Sequence, residues 1–142
     1  MLNLEKKVYD KDSTPEELEA IRASVYMHSE KVVYWKEAPV MSVWQVEQFG
    51  IKLLELTKDL EHFNMIIDLR QAKPPNSWLR EALRNVYMPL AEKGILEVVS
   101  VFTGKNFMIN VAVKLVLGTL GFKSFSVHSK QEDAEKALKN YA

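Results

Sequence analysis

From Lys31 to the C-terminus, stretches of strand character alternate with stretches of helical spacing, an order that restricts the chain to α/β folds with a largely parallel sheet. Parallel neighbours require a crossover from the end of one strand to the start of the next, and such crossovers are right-handed. The run from Lys31 to Lys36 is β-branched and aromatic and stops before Pro39. Ser42 and Gln45 then form a capping box that opens a helix in which Val46, Phe49, Leu53, Leu54, Thr57 and Leu60 share a stripe. Gly50 interrupts that helix at a cost of about 1 kcal/mol relative to alanine, which points to close packing. The run from Met65 to Leu69 reads as a buried central strand. Leu79, Leu83, Val86, Tyr87 and Leu90 describe a second helix face that ends at Gly94, and Val98 to Phe102 is the next strand.

A third helix, from about Asn106 to Leu120, is apolar nearly all round, with Lys114 its sole charge. Gly121 follows as a left-handed cap, Phe122 to His128 alternates as a last strand, and Ser129 with Glu132 opens a final helix through a capping box. Upstream, Thr14, Pro15 and Glu17 give a short helix the same kind of start. The piece after it fits both a helical stripe and strand alternation. A strand from about Arg22 to His28, turning at Ser29-Glu30 into the next, makes an N-terminal hairpin. The expected organisation is therefore an N-terminal extension over residues 1–21 and one domain over residues 22–142.

The chain has 142 residues, 47% of them hydrophobic and 27% charged, enough to bury one core without disulfides or metal. Lys+Arg and Asp+Glu are equal at 19 each, so no global field draws it to nucleic acid. Cysteine is absent, which excludes disulfides and thiolate zinc sites and suits the cytoplasm. No secretory h-region and no stretch of about eighteen apolar residues is visible, so no transmembrane segment is expected. His28, His62 and His128 form no metal-ligating pattern. Hydrolase nucleophile elbows, Walker loops and dinucleotide-binding glycine motifs are also missing, so no cofactor and no catalytic residue is expected.

Three places carry candidate function. Thr103, Gly104, Lys105 and Asn106 join a strand to a helix, where free N–H groups and Lys105 suit either an ordinary loop or an anion or partner contact. The loop from Arg70 to Ser77 follows a strand end, where open α/β sheets place their sites. There, Asn76 or Ser77 caps the next helix, and a phosphate on Ser77 would meet helix N–H groups with Arg70, Lys73 and Arg80 close in sequence. Finally, the surplus apolar residues Phe107, Ile109, Val113 and Leu117 call for a second apolar neighbour: another helix, a second subunit, or a small apolar ligand.

Two stretches resemble the STAS domain of anti-sigma factor antagonists and sulfate transporter tails, and its SpoIIAA-like relatives grouped with Sec14-type lipid-binding domains. Ile66-Ile67-Asp68-Leu69 with Pro75-Asn76-Ser77 is similar to the family's strand ending in Asp-Leu-Ser and the Asp-Ser-Ser/Thr-Gly of the following helix start. Val116 to Phe122, then Phe125-Ser126-Val127 and Glu132-Asp133-Ala134, is similar to the family's closing helix, turn, strand and helix. The resemblance runs from about Arg22 to Ala142. It implies a mixed sheet of four or five strands, an N-terminal hairpin and helices mainly on one face.

The resemblance also places Ser77 on the family's phosphorylatable serine. Asn76 stands where the family has an acid, Trp78 where it has a small residue, and the glycine is missing, which implies loss of the usual phospho-switch. The expected function is a non-enzymatic regulatory or protein-interaction domain working through the loops of Asp68, Asn76, Ser77 and Trp78 and of Thr103 to Asn106, with a protein partner or as a homodimer. The alternative is a carrier or sensor of a lipid-like ligand held between the helix at 106–120 and the sheet.

Overall fold

The computed structural model describes residues 8–38, 41–73, 76–106, 108, 109, 113 and 124–139. Five strands form one mixed sheet: β1 (Val25–Ser29), β2 (Val32–Lys36), β3 (Phe63–Asp68), β4 (Leu96–Phe102) and β5 (Ser124–His128). Their spatial order is their chain order. The first two are an antiparallel hairpin and every later neighbour is parallel. Stepping always in one direction, right-handed crossovers place each connecting helix on the same face of the sheet.

The packing follows that rule. α1 (Pro15–Arg22), α2 (Val43–Thr57) and α3 (Ser77–Glu92) lie on one side. There Val33, Trp35, Met65, Ile67, Val99 and Val101 of the sheet share a core with Ile21, Phe49, Leu53, Tyr87 and Leu90. Trp35 is its centre, with ring centroids 5.3 Å from Phe49 and 5.1 Å from Tyr87. Each tilted pair adds about 0.5–1.5 kcal/mol beyond the area it buries. Tyr9 and Ile21, from the first 21 residues, belong to this same core. Gly50 sits against Val86, where an added Cβ would come within 2.9 Å of a Val86 methyl, so α2 and α3 touch through a position that has no side chain.

A final helix, α4 (Gln131–Lys139), crosses the opposite face. Ala134 and Leu138 bury Tyr34, Ile66, Val98 and Phe102 there, and the Ser100 hydroxyl donates to the Ala134 carbonyl at 2.7 Å. The small Ala134 side chain lets this helix lie close to β4.

Several boundaries move from the sequence reading. The strand placed at Arg22 to His28 begins at Val25, because α1 continues through Arg22. Leu54, assigned to the buried stripe of α2, is 56% exposed, and Val46, Phe49, Leu53 and Thr57 make the stripe without it. The last helix accepts its first bond at Lys130, so Lys130 and not Ser129 stands at the cap. The capping boxes at Thr14/Glu17 and Ser42/Gln45 are both formed. Gly94 has the positive φ, 70°, of a left-handed helix end. The cap at Gly121, Tyr141 and most of the helix at 106–120 lie outside the described residues. Met108, Ile109 and Val113 of that segment are helical.

Candidate functional site: the carboxyl edge of the sheet

The parallel strands end at one edge, where the loops after β3 and β4 lie side by side. Asp68 is the last residue of β3, and its side chain points to the α4 face, 1% exposed. Its carboxylate accepts from the Tyr34 hydroxyl at 2.6 Å and from the Arg70 guanidinium at 2.8 Å. The Arg70 backbone N–H donates to its other oxygen at 3.1 Å. Burial pushes the Asp68 carboxyl up, but the hydrogen bonds from Arg70 and Tyr34 outweigh it and hold the group below its ordinary value. Asp68 is therefore a charged, fully engaged anchor. Burial and the Asp68 hydrogen bond in turn push the Tyr34 hydroxyl well up.

Arg70 does more than pair. Its guanidinium lies 4.6 Å from the centroid of Phe102, and its stem lies against Gly104, where an added Cβ would meet Arg70 Cγ at 2.9 Å. Gly104 has φ 57°, so both its conformation and its space favour glycine. The Asn106 amide completes the joint, donating to the carbonyls of Leu69 at 3.0 Å and Ala72 at 2.8 Å. Thr103 ties the same loop to β5, its N–H reaching the His128 carbonyl at 2.9 Å. The result is a ledge built from residues 68–72 and 103–106, with Lys73 and Lys105 exposed at its rim.

The candidate residues therefore separate into two groups. Asp68 joins Thr103, Gly104, Lys105 and Asn106 in one constellation. Asn76 caps α3, its Oδ1 accepting from Leu79 N–H at 2.9 Å, and Ser77 is the exposed first residue of that helix. Trp78, 76% exposed, turns away toward α2. Arg70, placed near Ser77 by sequence distance, is committed to Asp68. Ile109 and Val113 pack into the main core, while Phe107 and Leu117 lie outside the described residues.

Sequence reasoning missed Tyr34, Tyr26 and His28. Tyr26 stacks on Tyr34 at 5.1 Å, and His28 Nε2 lies 3.2 Å from Glu135 Oε1. The available signal was strand alternation: Tyr34 falls between Val33 and Trp35, which face the main core, and so must face the other way. It also missed a groove of about 770 Å³ between α2 and α3, lined by Val43, Ile51, Leu54, Trp78, Val86 and Pro89.

Among the described residues no group of three or more His, Asp or Glu side chains is placed to hold a metal ion. No described helix is long and apolar enough to cross a membrane. Compared with known protein families, with curated proteins and with solved structures, the chain finds no match in any of the three.

Proposed function

We propose that this chain is a non-enzymatic protein-interaction domain of the STAS/SpoIIAA-like kind, lacking the usual phospho-switch, that presents the ledge at the carboxyl edge to an acidic segment of a protein partner. The observation that carries this reading is the Asn106 clamp, which holds the two loops in one arrangement through their backbone carbonyls. A surface fixed before contact loses little entropy on binding. Exposed Lys73 and Lys105, beside the charge-balanced Arg70–Asp68 pair, give that surface its positive sign. The hairpin feeding a parallel sheet supports the family likeness.

The sheet order also bears on the kind of ligand. Doubly wound sheets form a crevice where the strand order reverses. Here the order never reverses, so the edge offers a ledge rather than a cleft, a shape suited to a peptide or protein surface. Asn76, standing where the family has an acid, is occupied as a helix cap, which supports the loss of the usual phospho-switch.

The reading is tested by cross-linking through lysine in an extract of the cells that make the protein. Cross-links from Lys73 and Lys105 converging on an acidic stretch of one partner are the expected result. Cross-links from these lysines no more specific than those from exposed Lys31 and Lys58 would overturn it.

A further inference from the structure

We propose that the outer faces of α2 and α3 form the contact surface of a twofold-symmetric dimer of this chain. A helix that covers a sheet needs one apolar stripe, and α2 has that stripe in Val46, Phe49 and Leu53. Val43, Ile51 and Leu54 make a second one, facing outward. With Trp78 of α3 they are four of the seven exposed large apolar side chains among the described residues, and all four line the one groove. Concentration of exposed apolar surface in one place marks an interaction site.

The charges at the rim identify the occupant. Each of α2 and α3 leads from the carboxyl end of one parallel strand to the amino end of the next, so the two helices run in the same direction. Glu47 and Glu81 consequently stand together at one end of the groove, and Lys93 stands at the other. A twofold axis lying above the Gly50–Val86 contact and running across the two helices sets the helices of two copies antiparallel. Lys93 of each copy then meets Glu47 and Glu81 of the other. The groove is thus complementary in charge to itself, and with a net charge of zero the two copies do not repel.

Two helices about 23 Å long and about 9 Å apart offer a patch at the small end of stable interfaces, so the dissociation constant is expected in the micromolar range.

The test is sedimentation velocity of the full chain from about 1 to about 200 µM, a range in which a micromolar dimer changes its population. Wild type should shift from monomer to dimer. Leu54→Glu should be monomeric throughout with an unchanged circular dichroism spectrum, since the side chain is largely exposed. Lys93→Glu alone, and Glu47→Lys with Glu81→Lys, should each weaken dimerisation at least about tenfold by placing like charges face to face. An equimolar mixture of those two variants should recover it.

A wild type that stays monomeric over the whole range overturns the proposal. So does a monomer that carries an apolar molecule in native mass spectrometry, which would make the groove a ligand site. A dimer indifferent to Leu54→Glu, or charge variants that fail to rescue each other, would place the interface elsewhere.

Discussion

The guanidinium of Arg70 folds back onto the carboxylate of Asp68, two residues earlier, with its terminal nitrogen 2.8 Å from Oδ2. The pair turns the chain out of β3 and at the same time fills the space left by Gly104 on the neighbouring loop. One local contact thus joins strand end, loop and adjacent strand.

Asp68→Asn should destabilise the protein by about 1–3 kcal/mol at neutral pH, because an amide keeps an acceptor for Tyr34 but turns a donor toward Arg70. The exposed half of the pair moves the value toward the low end. The folded-state pKa is lowered, so the stabilisation is present above the ordinary Asp value of 3.8 and is lost as pH falls through the folded value. In urea titrations the gap between wild type and variant should be full at pH 6 and narrow progressively as pH falls below the ordinary Asp value of 3.8.

Glu37 should behave in the opposite sense. Its carboxyl is buried, and burial, with a contribution from the nearby Asp68 charge, pushes it up to about 8. Here stability is fully present below the ordinary value of 4.5 and declines as pH rises toward the folded value, by about 1.4 kcal/mol per pH unit at most. Glu37→Gln cannot ionise and should gain on wild type as pH rises from about 5 to about 8, then hold its advantage. Parallel thermal-stability profiles for the two proteins would contradict this.

Gly50→Ala should cost about 1 kcal/mol although alanine is the better helix former, because the new methyl meets a Val86 methyl that is stiff about its own Cβ. Val86→Ala in the same chain should return the helix-propensity gain, so the double variant should be more stable than the sum of the single ones. Chemical denaturation of the four proteins in a double-mutant cycle measures the coupling.

Where an element rests on its own few residues, the sequence reveals it. Thr14 with Glu17 and Ser42 with Gln45 satisfy each other's backbone groups within one turn, so both helix starts were legible before any fold was known. The hairpin and the alternation of elements were legible for the same reason.

Leu54 was assigned to the wrong surface because helical spacing gives the width of an apolar band and not which edge of it the sheet covers. The Arg70 side chain, close to Ser77 in sequence, instead folds back onto Asp68, and the β3–β4 register supplies the Phe102 ring and the space at Gly104 that receive it. Tyr34 and Asp68 are 34 residues apart and meet only because β2 and β3 are neighbours. Strand order, which decides between a ledge and a cleft, has no local signature at all.

If the ledge built on Asp68, Arg70 and Asn106 is a partner-binding surface, retention of the partner on immobilised protein depends on its side chains. Wild type should hold the cross-linked partner through physiological salt. Lys73→Glu with Lys105→Glu should lose it by at least about tenfold, and Asn106→Ala should weaken it by freeing the loops, while Lys31→Glu on the far edge should have no effect. Equal retention by all four proteins, or retention abolished only by Ser77→Asp, would rule out the ledge as the binding surface.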